Sequence, residues 1–201
     1  MNMAEPKFNP PFLQNEPIAT DRLILRRLSL ADLDRYAEYH GKPEVARYIL
    51  RDELSREQAL EELELWSGRT LLEEPGDMIF YGVQLKDDPA LIGEVPIKLV
   101  SVSNRTAEIG WIFHPEVAGN GYATEAARAL LTLAFSRLGM RRVVSYLNAE
   151  NEASANVCRR LGMRQEAHFV QNILDRGTWT STLVFAILED EWRAAQTSGS
   201  A

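Results

Sequence analysis

The chain has 201 residues, 45% of them hydrophobic and 25% charged, which is enough for a sizeable core and excludes a wholly disordered polymer. Lys and Arg total 22 against 29 Asp and Glu, a net charge of −7, opposite to the basic excess of a nucleic-acid binder. A single cysteine, Cys158, excludes an internal disulfide and a cysteine-based zinc site, and His40, His114 and His168 lie too far apart for metal-ligand spacing. No apolar run reaches the ~18 residues of a membrane span, and the N-terminus lacks the apolar stretch of a signal peptide. The expectation is a cytoplasmic protein with no metal and no nucleic-acid or membrane partner.

Four of the nine prolines fall at Pro6, Pro10, Pro11 and Pro17, so residues 1–17 read as an extended arm. Residues 18–193 read as one domain and 194–201 as a frayed tail. Within the domain, Leu23–Leu28 alternates as a strand opened by Asp21. Leu30–Tyr39 reads as a short helix stopped by Gly41 and Pro43. Ser55 opens a second helix, with Gln58 three residues on as its capping partner and a stripe of Ala59, Leu60, Leu63 and Trp66. Strands follow at Met78–Leu85, Leu91–Val102 and Ala107–His114, joined by the polar turns Lys86–Pro89 and Ser103–Arg105. Ala123, Ala126, Ala127, Leu130, Leu131, Ala134, Phe135 and Leu138 then form one continuous helical face, ended by Gly139. Next come a strand at Arg142–Leu147, a helix from Asn151 to Leu161 closed by Gly162, and strands at Met163–Ile173 and Thr178–Leu188 around the turn Asp175-Arg176-Gly177. Hairpins followed by a β-α-β crossover predict a mixed α+β protein with one central mixed sheet and helices on both faces.

The chemistry concentrates in Ala107–Thr124, where a strand runs into Gly119-Asn120-Gly121 and opens the long helix. Glycine permits positive φ and close approach of a ligand, and the first N–H groups of a helix lack internal partners. Such a turn suits a pyrophosphate, although a plain strand-to-helix turn gives the same pattern. A dinucleotide fold fits less well. Thr124 stands where its third glycine belongs, and residues 139–145 offer no acid, although Arg141 and Arg142 would suit a 2′-phosphate.

The runs Ile109-Gly-Trp-Ile, Gly119-Asn-Gly-Tyr-Ala-Thr-Glu-Ala126 and Asn148-Ala-Glu-Asn-Glu-Ala-Ser154 with Leu161-Gly-Met163 resemble the GNAT N-acetyltransferase superfamily. Thr20-Asp-Arg-Leu-Ile-Leu-Arg-Arg27 and the end segment Gly177-Thr-Trp with Leu188-Glu-Asp-Glu-Trp192 are similar to its RimJ/RimL-like branch, the ribosomal-protein alanine N-acetyltransferases. The resemblance implies a three-layer GNAT fold and direct transfer of acetyl from acetyl-CoA to a primary amine, a protein N-terminal α-amine in that branch. A small amine (antibiotic, polyamine or amino acid) is the alternative acceptor, and a non-catalytic acyl-CoA-binding module the alternative class. A homodimer is compatible with the sequence.

The resemblance assigns cofactor binding to Val117, Gly119, Asn120, Gly121, Tyr122, Ala123 and Thr124, with Ile112, Phe113 and His114 running beside pantetheine. It places Asn151 near the pantetheine end and Ser154 near the sulfur, where a hydroxyl can bond the leaving thiolate; Asn156 is a further contact. Asn151 also suits a plain helix cap. Glu108, which interrupts an apolar strand before Gly110, is the first candidate base, with Glu94 and His168 behind it. Glu116 and Ala118 depart from the superfamily's Gln or Arg in the first slot of the turn and from the branch's aromatic before the first glycine. Glu116 thereby adds negative charge beside the phosphates. Cys158 and the tryptophans Trp66, Trp111 and Trp192 read as packing residues, and Lys42–Glu74 as part of the acceptor pocket.

Overall fold

The computed structural model describes residues 10–14 and 16–198. Its elements are β1 (Phe12–Leu13), β2 (Ile18–Ala19), β3 (Leu23–Arg27), α1 (Leu33–His40), α2 (Pro43–Ala46), α3 (Arg56–Gly68), β4 (Leu71–Leu72), β5 (Met78–Leu85), β6 (Leu91–Ser101), β7 (Thr106–Ile109), β8 (Ile112–Phe113), α4 (Tyr122–Thr132), β9 (Arg142–Asn148), α5 (Glu152–Arg160), β10 (Arg164–Asp175), β11 (Thr178–Leu188) and α6 (Glu189–Ser198). Nine strands form the main sheet in the order β10-β11-β9-β7-β6-β5-β3-β2, with β8 also on β6. Every pairing in it is antiparallel except β7 with β9, the two strands that α4 connects. This is the mixed sheet the sequence predicts.

Strand alternation divides the core between two faces. Ile79, Tyr81, Val83, Val95 and Ile97 meet Ala126, Ala127, Leu130 and Leu131 of α4 and Ala155 and Cys158 of α5. On the opposite face, Leu28, Leu91, Phe80 and Ile112 meet Tyr36 and Tyr39 of α1 and Ala59 and Leu63 of α3. Ser55 caps α3 as its sequence implies: its hydroxyl accepts from Gln58 N–H (3.3 Å) while its own N–H donates to Gln58 Oε1 (2.8 Å).

Several segments depart from the sequence reading. The strand expected at Ala107–His114 breaks at Gly110 and Trp111 into β7 and β8. The long helix is α-helical only to Thr132; Leu133–Arg137 widen into a π turn, with Leu138 N–H on Leu133 O, before Gly139 turns the chain at φ +64°. The acidic run Glu189-Asp190-Glu191 opens α6, where it complements the positive helix end, and Trp192 is buried beside Phe135. The expected frayed tail is therefore helical to Ser198, and residues 199–201 lie outside the described residues. Of the N-terminal arm, residues 1–9 and 15 lie outside them too; Phe12 and Leu13 pair with Leu72 and Leu71 of β4.

A carboxylate staple joins the start of the domain to the first turn of α4. Glu125 Oε1 accepts from the Thr20 hydroxyl (2.6 Å) and Arg22 N–H (2.8 Å), and Oε2 accepts from Arg22 Nε (2.7 Å). Arg22 also donates through Nη1 to Asn120 O (3.0 Å) and covers the Tyr122 ring at 4.6 Å. Burial pushes the Glu125 carboxyl up, but the bonds from Thr20 and Arg22 outweigh it and hold it below its ordinary value. A carboxyl depressed on folding contributes stability above its unfolded pKa of ~4.3 and loses it as pH falls through the folded value. Glu125→Gln is expected to cost about 1–3 kcal/mol at pH 7 in denaturant titrations. The difference from wild type is expected to close in acid.

Candidate active site

The parting of β7 and β8 from β9 makes the site. β7 and β9 pair only over Thr106–Glu108 and Arg142–Val144. Beyond that point β8 stays on β6, while β9 stays on β11 along its whole length, so a gap opens inside the sheet. Pro96 lies opposite Gly110 and accepts its N–H (3.2 Å), but proline returns no N–H, so the ladder loses a bond where β7 ends. Since Gly110 N–H points toward β6, alternation turns Trp111 N–H the other way, toward the gap. Trp111 N–H has no backbone acceptor among the described residues.

The gap is a cleft of about 350 Å³ whose walls include Pro96, Glu108, Gly110, Trp111 and Ile112 on one side and Ser145, Tyr146, Leu147, Asn148, Asn151 and Ser154 on the other. It passes between the two faces of the sheet. Val143 and Leu147 face the α4/α5 core, so Ser145 between them does too. Tyr146, and Glu108 between the core residues Ala107 and Ile109, face the α1/α3 side. There Tyr48, Ile49 and Leu50, the segment after α2, complete the wall with Ile173, Thr180 and Thr182 of the last hairpin. Leu50 holds a left-handed φ of +52°, the kind of local strain that collects at working sites. Arg176, at the hairpin tip, donates to Arg51 O (3.1 Å) and so ties the two wall segments together.

Glu108 faces the cleft with Lys98 3.8 Å away. Burial raises its pKa and the Lys98 charge only partly offsets this. Asn151 caps α5, its Oδ1 accepting Ser154 N–H (3.0 Å), and it also lines the cleft. Ser154 Oγ accepts Trp111 Nε1–H (3.1 Å), which occupies a lone pair and leaves the serine proton available.

The Gly119-Asn120-Gly121 turn stands at the far end of β8. Gly119 and Gly121 have φ of +82° and +78°, so both need glycine's freedom. Asn120 Nδ2 closes the turn onto Val117 O (3.1 Å), and Tyr122, Ala123 and Thr124 begin α4. Thr124 Oγ1 is enclosed and lacks a hydrogen-bond partner. His114 is buried beneath the turn: Nδ1 accepts Glu116 N–H (3.1 Å) and Nε2 lies 3.2 Å from Glu38. Arg35 of α1 pairs with Glu116, bonds Glu38 (2.7 Å) and reaches Leu91 O (3.2 Å). The charge that Glu116 brings to the turn is therefore matched by a cation from another element.

The sequence model of the acetyltransferase (GNAT) domain matches residues 22–164. The chain belongs to the GNAT acetyltransferase family. The N-acetyltransferase YnaD of Bacillus subtilis (strain 168), itself uncharacterized, is 31% identical over 175 residues, 87% of this chain and 98% of its own. The crystal structure of a GNAT-family acetyltransferase from Bacillus anthracis shares 27% identity and superposes with a TM-score of 0.78 over 87% of this chain and 99% of that one. Spermidine N-acetyltransferase from Vibrio cholerae, solved with CoA and spermine, shares the fold at 21% identity and a TM-score of 0.72, over 87% and 99% of the two chains. The protein is an acetyl-CoA-dependent N-acetyltransferase.

Against this GNAT frame, the residues singled out from the sequence separate into groups. Glu108, Ile112, Asn151 and Ser154 line the cleft, and Val117 and Gly119–Thr124 form the turn. Phe113 packs against the core rather than lining the cleft. Asn156 lies outside the cleft wall, with Oδ1 on Arg159 Nη1 (2.9 Å). Glu94 is not in the wall either: it is buried, with Oε2 accepting from Tyr39 OH (3.2 Å) and Oε1 3.1 Å from His40 Nε2. Arg51 can only donate, so His40 Nδ1 accepts from it and Nε2–H bonds Glu94. His168 is exposed on β10, away from the cleft. Tyr48–Leu50, Ser145, Thr180 and Thr182 carried no local motif. The route of β8 along β6 depends on Gly93, where a Cβ would stand 2.6 Å from Ile112 O and 2.7 Å from the Phe113 ring. Gly93→Ala is expected to lose about 1–3 kcal/mol in thermal or denaturant unfolding. Gly110→Ala, whose Cβ meets only Pro96 at 3.2 Å or more, is expected to lose less.

Proposed function

We propose that this acetyltransferase acts on a protein N-terminal α-amine, as in the RimJ/RimL-like branch its sequence resembles. The observation that carries the reading is the composition of the acceptor side of the cleft. Glu108 is the one carboxylate among its described wall residues; Ile49, Leu50, Ile112 and Ile173 are apolar, and Tyr48, Tyr146, Thr180, Thr182 and Asn148 offer neutral hydrogen bonds. That suits one ammonium on an otherwise uncharged chain. A polyamine carries several positive charges, and this wall gives them one counter-charge.

The α1/α3 side admits the amine and the α4/α5 side admits acetyl-CoA. In this reading the N–H groups of Gly119–Thr124 hold the pyrophosphate at the start of α4, next to Val117, whose own N–H is spent on His114 O (3.1 Å). The enclosed Thr124 hydroxyl, lacking a partner, fits a phosphate acceptor. Phe113 offers backbone along pantetheine while Ile112, whose backbone faces β6, adds its side chain to the wall; His114 fixes the turn, and Asn151 guides the arm toward Ser154. Trp111 N–H faces the thioester oxygen, and the Ser154 hydroxyl meets the departing sulfur. Glu108 accepts the amine proton. An α-amine with a pKa of ~7.7–8.0 is about one quarter neutral near pH 7.4, so a carboxylate raised by burial is a sufficient base.

The test is CoA release and intact mass on three acceptors: a lysine-free peptide with a free N-terminus, an N-blocked peptide bearing one lysine, and spermidine. Acetylation of the first alone is expected; turnover confined to spermidine or other small amines overturns the assignment. Glu108→Gln is expected to lower kcat/KM about 10²-fold near pH 7. The deficit should shrink above the amine's own pKa, where the substrate arrives neutral. Arg35→Ala leaves Glu116 uncompensated beside the phosphates. Its KM for acetyl-CoA is expected to rise about 5-fold, equivalent to ~1 kcal/mol, and to recover in the Arg35→Ala/Glu116→Gln double variant.

A further inference from the structure

Ser145 is the buried polar residue of the described cleft wall that the reading above leaves unused. It is 1% exposed, its Oγ has no nitrogen or oxygen partner among the described residues, and it lines the cleft. A buried hydroxyl without a strong partner is costly, and a protein interior leaves few of them. The position is specific. Val144 is the last residue of β9 paired with β7, so Ser145 is the first beyond the point where the strands separate. Gly110 and Trp111 occupy the facing wall. Behind Ser145 lies Cys158, the sulfur its hydroxyl meets; burial pushes the thiol up to about 12, a rise the Ser145 contact only partly offsets, and so keeps it neutral. A neutral sulfur is a weak acceptor and leaves the serine proton free for a stronger one.

We infer that the Ser145 hydroxyl is the second donor of the oxyanion site, opposite Trp111 N–H. The inference rests on the reading that places the thioester in this cleft. A cofactor held by its pyrophosphate at the Gly119–Gly121 turn and lying along β8 directs its acyl end toward the point where the strands part. That point carries two donors from opposite walls. In the transfer, the amine lone pair forms the N–C bond and the carbonyl π pair moves onto oxygen, where Ser145 O–H and Trp111 N–H stabilise it. The pair then returns to re-form C=O, the C–S bond breaks with its electrons on sulfur, and the amine proton passes to Glu108. No oxidant or further reactant is required. Ser154 serves the sulfur and Ser145 the oxygen, so the two serines have separable roles.

The experiment compares wild type, Ser145→Ala, Ser145→Thr and Cys158→Ala by steady-state kinetics and by the infrared carbonyl band of isotope-labelled acetyl-CoA bound to each. Ser145→Ala is expected to lower kcat about 10²-fold with KM for acetyl-CoA unchanged, and to return the carbonyl band toward its position in free acetyl-CoA. Ser145→Thr, which keeps the hydroxyl, is expected to restore both, and Cys158→Ala to retain wild-type values of both. Wild-type kcat and an unshifted band in a folded Ser145→Ala protein overturn the inference and leave the reading of the cleft intact. Loss of kcat equal in Ser145→Ala and Cys158→Ala, with the band unmoved in both, also overturns it, because it assigns Ser145 to packing. Absence of acetyl-CoA binding by the wild type overturns the reading of the cleft and this inference with it.

Discussion

The site depends on a sheet that stops pairing in its own interior. Strands in the middle of a sheet normally satisfy their backbone groups on both sides, because an unpaired buried N–H or C=O is costly. Here β7 and β9 hold together for three residue pairs and then separate, β8 remaining on β6 and β9 on β11. Each diverging strand keeps a ladder on its other side, which confines most of the loss to the edges facing the gap. Pro96 opposite Gly110 removes a further bond at the same level. What would be a defect in a core becomes a row of donors and acceptors around a cavity open to both faces. Two substrates can then meet inside a rigid sheet while each approaches from its own side.

A gap of this kind needs support at both mouths, and α1 supplies it twice. One turn of α1 carries Arg35 and Glu38 to Glu116 and His114, under the Gly119–Gly121 turn. The next carries Tyr39 and His40 to Glu94 on β6, opposite Ile112 of β8. His40 passes the contact on to Arg51, next to the cleft residues Tyr48–Leu50. Only the Glu94 cluster is buried, and there desolvation consumes much of the attraction, so its weight falls on fixing one arrangement; the Arg35 pairs are largely exposed. The arrangement fixed here relates the Tyr48–Leu50 wall to the Gly119–Gly121 turn. The Glu125 staple plays the matching part on the other face, clamping Thr20 and Arg22 to the start of α4.

Local patterns were legible in the sequence and long-range pairings were not. The helical face from Ala123 to Leu131, the Ser55 capping box and the final hairpin all rest on contacts within a few residues, and each lies where its pattern implies. The Gly-x-Gly turn was legible for the same reason, since positive φ is a local demand. The break in the predicted strand at Ala107–His114 was not, because it comes from Pro96 across the ladder. Glu116 looked like an unopposed charge beside a phosphate site; its counter-charge, Arg35, is 81 residues away. Glu94 looked available as a base because nothing nearby in sequence announces Tyr39 and His40, 55 and 54 residues away. Ser145 drew no notice at all: a serine in a strand is unremarkable until the strand beside it departs.

Asn151 and Ser154 show why the structural and chemical readings of a residue need not compete. A helix cap requires the Asn151 Oδ1 to face Ser154 N–H, and it does, at 3.0 Å. That same bond fixes the amide so that its two remaining donors have a defined direction, at a residue that also lines the cleft. Ser154, held by the cap at the first turn of α5, receives Trp111 Nε1–H on its oxygen. With an acceptor site filled, what the hydroxyl retains to offer is its proton, the form needed beside a sulfur that gains negative charge. Trp111 contributes from both ends, its backbone N–H turned toward the gap and its indole N–H orienting the serine across it. The packing role sets the polarity of the chemical one proposed for it, and a helix cap is thereby part of the cleft wall.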